Sequence, residues 1–213
     1  MEGWPAGREN VGDAFPLPVE RGEEYPGDQL FLHPWEPNRE TFNPIENYDP
    51  ENGGMANKGR GGLWTSTLYE HEETGEPWSD WCRWCAGERW GATDKNGTSK
   101  AWALRPHENV QVAVIDTVED AHRWRQAGIL RLMELGGQIF HGMWEIDFEA
   151  LAEAGIDGLR LTEEGQWRTR IPEREVPSLY GWDSESTCWF RWAFTETRDL
   201  GRIELYNPDE TLW

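Results

Sequence analysis

The order of strand-like and helix-like runs is what most constrains the fold of this chain. β-prone runs lie at residues 29–35, 63–67, 101–105, 110–116 and 157–161. Helical patterns lie at residues 78–85, 117–126, 130–135 and 146–155. Together they do not follow the regular strand–helix–strand alternation of a doubly wound fold. The sequence therefore predicts an α+β fold of mixed, strongly twisted β-sheets with short helices.

The clearest helix start is specified by its own capping residues. Asp147 is a good N-cap, Ile146 and Leu151 occupy the two positions of a hydrophobic staple, and Gly155 supplies the stop. Farther along the chain, the polar residues 163–177 predict a loop. The aromatic stretch 179–194 predicts a strand or one arm of a hairpin.

Composition divides the chain into three parts. Residues 1–28 are rich in Gly, Pro and Glu without a sustained hydrophobic period, so we expect a disordered or extended N-terminal arm. Residues 29–194 carry most of the predicted strands and helices and are expected to form one domain. Residues 195–213 are expected to form a C-terminal tail, with one weak strand at residues 202–206.

The net charge limits the classes of partner. Forty acidic and 20 basic residues give a net charge of −20, which disfavours direct nucleic-acid binding and attachment to an anionic membrane. An acidic surface suits a basic protein partner. The sequence has no apolar run of membrane-spanning length, and its first residues do not resemble a signal peptide, so we expect a cytoplasmic or particle-associated protein.

The three cysteines predict neither a disulfide framework nor a metal site. Cys82 and Cys85 share a helical face with Trp78 and Trp81, and no second Cys or His pair with zinc-ligand spacing follows. We therefore expect these two thiols to be reduced, buried and free of metal. The fifteen tryptophans leave two possibilities open, because large rings can fill a core or line a groove for a planar ligand.

Candidate site residues stand at the edges of predicted strands. His33 ends the first strand, and the stretch Gly61-Gly62-Leu63-Trp64-Thr65-Ser66 places a ring and two hydroxyls on the second. Glu185 lies in the late aromatic stretch, two residues after Asp183. Two carboxylates on one face of a strand could serve cleavage of a glycosidic bond, and a solvated acidic edge is the simpler explanation.

These features resemble the ADP-ribosyltransferase fold, in its His–aromatic–Glu branch and its small phage and bacterial relatives. In that family a histidine ends the first strand, as in LFLHPW, and a Gly-aromatic-x-Ser segment follows, as in GGLWTS. A short helix leads through AGIDG into a strand, and a glutamate heads a late strand, as in ESTCWF. The resemblance covers about residues 29–194. The composition also resembles that of proteins from phages of high-GC bacteria.

The resemblance implies a site for NAD as substrate. His33 would bind the nicotinamide ribose, Trp64 would stack near the nicotinamide ring, and Thr65 and Ser66 would complete this side of the site, with Ser66 supporting Glu185. Glu185 would hold the ribose 2′-hydroxyl and stabilise the cationic centre as nicotinamide leaves. The chain departs from the family pattern in having proline after His33 and tryptophan where relatives have tyrosine, and Glu204 is a rival for the late-strand glutamate.

Two functions therefore follow from the sequence. The first is an NAD-dependent ADP-ribosyltransferase, phage-encoded and acting on a host macromolecule in the host cytoplasm. The second is a non-enzymatic phage protein, a virion component or an inhibitor, that binds a protein partner through its acidic surface and tails. Either could be an oligomer.

Overall fold

A computed structural model describes residues 18–22, 25, 27–49, 57–92, 94–135, 137–170 and 177–207. It confirms the predicted α+β class, since a large mixed sheet is accompanied by four short helices in this part of the chain. None of the described helices has the length and apolarity needed to cross a membrane. The expectations for residues 1–17 and 208–213 lie outside the described residues.

The strands are β1 Val19–Arg21, β2 Gln29–Leu32, β3 Leu63–Thr67, β4 Tyr69–Glu70, β5 Pro77–Trp78, β6 Thr98–Pro106, β7 Gln111–Ile115, β8 Leu130–Leu135, β9 Gln138–Ile146, β10 Gly158–Leu161, β11 Ser186–Trp189 and β12 Phe194–Glu204. The helices are α1 Asp80–Glu88, α2 Val118–Gln126, α3 Phe148–Glu153 and α4 Glu163–Arg170.

Eight of these strands form one sheet in the order β1-β7-β10-β11-β3-β2-β6-β12. Only the β7–β10 pair in this sheet is parallel, and the α2-to-α3 segment connects those two strands. β4 pairs with β5, and β8 pairs with β9, in two separate two-stranded sheets. β11 comes late in the chain but lies in the middle of the large sheet, between β10 and β3.

The sheet is covered on both faces, as the all-buried sequence of β7 requires. Ala113 and Ile115 pack into one cluster, together with buried side chains of α2 and α3. Val112 packs into a second cluster, with Trp189 and Phe194. Because successive side chains of a strand point to opposite faces, the two clusters lie on opposite faces of the sheet.

The tryptophans are divided between the core and the surface. Trp124, Trp182 and Trp189 are among the largest fully buried side chains of the described residues. Trp35 and Trp167, in contrast, are 73% and 70% exposed. Of the two possibilities that the composition left open, filling a core is therefore confirmed for these three buried rings.

The capping prediction for α3 is confirmed, because the Asp147 side chain accepts a hydrogen bond from the backbone of Ala150. The helix predicted over residues 78–85 begins later than expected, at Asp80. Pro77 lies in β5, and Ser79 is the N-cap, accepting from the backbone N–H of Cys82. The predicted cysteine-bearing helix itself is present.

Two other predicted elements are wrong. The run at residues 130–135 is strand β8, because its alternating leucines pair with β9. Residues 163–170 form helix α4, whose ends carry favourable charges and whose Arg168 Nε lies 2.6 Å from an oxygen of Glu164, four residues earlier. Residues 171–176 of the predicted loop lie outside the described residues.

The sheet extends beyond the predicted domain boundaries at residues 29 and 194. β1 lies in the expected arm and pairs with β7, and β12 lies in the expected tail and pairs with β6 over most of its length. The weak strand expected at residues 202–206 is thus the end of an 11-residue edge strand. Most of β12 was not predicted as a strand, because the polar and charged side chains that are typical of an edge strand also fit a surface tail.

Cys82 and Cys85 are free thiols with no exposed surface, as predicted, and Cys188 is equally buried. Burial raises the pKa of Cys82 to about 11 and that of Cys85 to about 12. Since the thiolate is the reactive form, reagents should modify these thiols only slowly in the folded protein. We expect a disulfide reagent at neutral pH to titrate these thiols at least about a hundredfold faster after denaturation. Rapid modification of the native protein would contradict this.

Two buried tryptophans provide a matched pair for stability measurements. Trp189 Nε1 donates to Thr65 Oγ1 at 2.9 Å, whereas Trp124 Nε1 has no hydrogen-bond partner among the described residues. Both rings are fully buried. We expect Trp189→Phe to lower the free energy of unfolding by about 1–3 kcal/mol more than Trp124→Phe, because it alone breaks a buried hydrogen bond. Urea titration measures both, and equal losses would count against this account.

Candidate functional site

The glycine pair positions β3 at the centre of the sheet. Gly61 and Gly62 have φ values of +77° and +68°, which disfavour other residues. A Cβ on Gly61 would lie 2.3 Å from the carbonyl oxygen of Pro44, and one on Gly62 would lie 3.0 Å from the Sγ of Cys188. Only glycine allows this close approach of the chain where β3 begins. β3 then runs between β2 and β11.

The carboxylate of Glu185 lies just before β11 and is only 5% exposed. Its Oε2 accepts from Ser66 Oγ at 2.8 Å and from the backbone N–H of Thr67 at 2.9 Å. Its Oε1 accepts from Thr67 Oγ1 at 2.9 Å and from Arg160 Nε at 3.1 Å. These four donors match the acceptor capacity of a carboxylate, which is about four lone pairs.

Arg160, on β10, connects Glu185 to a second carboxylate. Its Nη1 lies 2.9 and 3.1 Å from the two oxygens of Glu20, on β1. Burial opposes the charge on Arg160, but Glu185 and Glu20 together raise the pKa of its guanidinium. Burial is also the main cause that raises the pKa of Glu20, with Arg160 acting in the opposite direction. The cluster therefore holds one cation between two carboxylates.

Thr65 is committed to the core rather than to a ligand. Its hydroxyl donates to Gln29 Oε1 at 2.9 Å and accepts from Trp189 Nε1, all within buried surroundings. Nearby, the hydroxyls of Tyr25 and Thr187 lie 2.8 Å apart.

Trp64 lies two residues before Ser66, next to the segment that leads to Glu185. Its ring packs edge to face on Trp182, with 4.7 Å between the centroids. The Lys58 ammonium lies 5.6 Å from its centroid and 3.5 Å from the carboxylate of Asp183. Because Asp183 and Glu185 both precede β11, strand alternation does not place them as a pair, and each is bound to a different cation.

The structure does not bring His33 to Glu185. Gln29 pairs with Thr67 at one end of β2, whereas His33 follows the other end, about 13 Å farther along the strand by the usual rise per residue. The His33 ring is exposed and stacks on Phe31, and its Nδ1 lies 3.3 Å from the backbone N–H of Trp35. The expectation that His33, Trp64 and Glu185 surround one cleft is therefore not met, although β2, β3 and β11 are neighbours.

Glu204, the rival glutamate, lies far from this cluster. It ends the edge strand β12, is exposed, and is separated from β11 by three strands. Glu185 is the late glutamate that contacts Ser66. In the described part of the chain, no group of three or more His, Cys, Asp or Glu side chains is placed to hold a metal ion.

Sequence reasoning missed Arg160, Thr67 and Glu20. One signal was present for Arg160, the single charge in the otherwise apolar strand GLRL. A charged side chain in a buried strand requires a partner, so this position indicated a buried ion pair without indicating with which carboxylate. Glu20 could not be found because it lies in the expected arm.

We expect Arg160→Met to lower the free energy of unfolding by about 3–5 kcal/mol, since it leaves the buried Glu185 carboxylate without its cation. Arg168→Met is the matched control, because the side chains of Arg168 and Glu164 are 63% and 56% exposed. That exposed pair should contribute about 0.5 kcal/mol or less. Thermal and urea unfolding measure both variants. Similar losses of free energy of unfolding in the two variants would show that the buried Glu185 carboxylate does not need the Arg160 cation.

Glu20 should make stability depend on pH. Burial raises its pKa above the ordinary value of 4.5, so the folded state binds this proton more tightly than the unfolded state. Glu20 therefore lowers the free energy of unfolding at neutral pH, and this loss is recovered as the pH falls through the raised pKa. We expect wild type to gain stability relative to Glu20→Gln as the pH is lowered from about 7 to about 5. Urea titrations at each pH measure the difference in free energy of unfolding between the two proteins. A difference that does not change with pH would contradict this prediction.

Comparison of the chain with protein-family models, with curated proteins and with solved structures found no match.

Proposed function

We propose that this protein is an NAD-dependent ADP-ribosyltransferase with Glu185 as its catalytic carboxylate and Ser66 as the residue that positions it. The hydrogen bond from Ser66 Oγ to Glu185 Oε2, at 2.8 Å, carries the proposal. These residues are 119 positions apart in the sequence. A serine in this position that supports the glutamate is what the resemblance to the His–aromatic–Glu branch implies.

The proposed reaction breaks the bond between the nicotinamide nitrogen and the ribose. Nicotinamide leaves with the electron pair of that bond, and positive charge develops on the ribose. A nucleophile of a host macromolecule then bonds to the same carbon and gives up a proton. A fixed carboxylate beside the ribose stabilises the charge in the transition state, and Glu185 would supply it. Ser66 and the Thr67 backbone hold Oε2, so Oε1 is the oxygen to which the ribose hydroxyl would bind.

The proposal requires one rearrangement. Oε1 accepts from Thr67 Oγ1 and from Arg160 Nε, so a ribose hydroxyl can bind there only if one donor withdraws. Arg160 can withdraw toward Glu20, which already binds its Nη1. Trp64 retains its proposed place beside the nicotinamide ring, two residues from Ser66. The proposal assigns no step to His33 or to Thr65, which are occupied elsewhere.

The filled acceptor positions of Glu185 favour a second candidate function. If Arg160 never withdraws, Glu185 is a structural carboxylate, and the protein acts by binding. The protein would then be a virion component or an inhibitor of phage origin that binds a basic protein through its acidic surface, in keeping with its net charge of −20.

The enzyme is tested by incubating the full chain with NAD and bacterial lysate and measuring released nicotinamide and labelled acceptor. We expect Glu185→Gln to lower the rate by about a hundredfold or more, since it removes the charge and retains the shape. Glu204→Gln is the matched control and should leave the rate unchanged. Circular dichroism identifies a temperature at which wild type and both variants are folded, and the rates are compared at that temperature.

Two outcomes would contradict the enzymatic proposal. Wild-type protein that neither binds NAD in calorimetry nor releases nicotinamide would leave the binding function as the remaining candidate. Equal rates for wild type and folded Glu185→Gln would remove Glu185 from catalysis.

A further inference from the structure

A groove of about 400 Å³ lies at the end of β2 that is remote from Glu185. Five aromatic rings are among its lining residues. Phe31 and His33 stack with 5.3 Å between their centroids, and Phe42 meets Trp192 edge to face at 6.4 Å. Trp35, 73% exposed, lies at the same groove. The catalytic function proposed for Glu185 does not use this groove.

The backbone around the groove is held in place. The backbone N–H of His33 donates to the carbonyl of Lys100 at 3.1 Å, and the His33 carbonyl accepts from Trp102 Nε1 at 2.9 Å. In the segment that follows, Asn38 Oδ1 accepts from the backbone N–H groups of Glu40 and Thr41, each at 3.0 Å. These bonds hold the backbone at both of these positions, so binding a ligand would cost little additional ordering there.

The charges around the groove favour a cation. Among the described residues, Glu36 is the only carboxylate that lines the groove, and no Lys or Arg lines it. Arg39, in the same segment, is exposed and does not line it. The whole chain carries a net charge of −20. Aromatic faces attract cations through their quadrupoles, and a carboxylate at the groove adds to that attraction, whereas an anionic ligand would be repelled.

We propose that this groove binds the ammonium group of a lysine side chain from a basic protein partner. The rings would surround the ammonium and the methylene stem, and Glu36 would provide the opposite charge. The lysine stem is apolar and its head is charged, which matches an aromatic groove with one carboxylate. The proposal does not depend on catalysis at Glu185, which lies at the other end of β2.

The test uses three short, terminally blocked peptides of Gly and Ser with one central residue: lysine, trimethyl-lysine, or an analogue with a methyl group in place of the ammonium. Binding to the full chain is followed by the NMR shifts of the indole N–H groups of Trp35 and Trp192. We expect both cationic peptides to bind at millimolar concentration, with trimethyl-lysine at least as tight as lysine. The neutral analogue should bind about threefold or more weakly.

Two groove variants and one control locate the site. Trp35→Ala changes an exposed ring and should weaken binding of the lysine peptide about threefold or more. Glu36→Gln should weaken it and reduce its dependence on salt. Trp90→Ala is the control, because that ring is also exposed, at 57%, but does not line the groove.

Several results would overturn the proposal. Equal affinity for the lysine peptide and its neutral analogue would mean that the groove binds apolar groups without regard to charge. Unchanged affinity in both Trp35→Ala and Glu36→Gln, or an equal loss in Trp90→Ala, would place binding elsewhere on the acidic surface. The absence of indole shifts at millimolar peptide would exclude a lysine site.

Discussion

The interaction between the Glu185 carboxylate and the Arg160 guanidinium supports the centre of the large sheet. It joins the start of β11 to β10, and through Glu20 it includes β1. Removing charges from water is costly, so the cluster is stable only because hydroxyl and backbone donors satisfy the remaining oxygens. Ser66 and Thr67 perform that task from β3. Four strands therefore depend on one another through a single group of polar side chains.

This dependence bears on both candidate functions. Four donors hold the Glu185 carboxylate in a fixed position, as catalysis requires. The same donors fill its acceptor positions, so one of them must withdraw before a substrate hydroxyl can bind. The side chain that decides between the two is Arg160. If the Arg160 guanidinium can leave Glu185 and bind Glu20 alone, Glu185 gains a free acceptor position for a substrate. If it cannot, Glu185 is a structural residue.

The elements that could be predicted from sequence are those governed by local chemistry. The capping residues of α3 and the apolar run of β7 specify their structures within a few positions. The contact between Ser66 and Glu185 could be predicted only through the family resemblance, because no local sequence signal connects residues so far apart in the chain. A helix was expected at β8 because Leu132 and Leu135 have helical spacing, whereas Leu130 and Leu132 alternate as in a strand, and pairing with β9 decides the outcome. The resemblance placed His33 in the site. The sequence shows that His33 ends a strand, but it does not show at which end of the sheet that position lies.

The position of β11 in the sheet has a consequence for how the molecule is made. β2, β3, β6, β7 and β10 precede β11 in the chain, yet β10 and β3 are joined into one sheet only by β11, which lies between them. Until residues 186–189 have emerged from the ribosome, β3 and β10 each present an unpaired edge to solvent. Closing such long loops slows folding, and exposed edges recruit other chains in the meantime. Soluble yield should therefore depend on the rate of synthesis and on chaperones more than on the stability of the finished sheet.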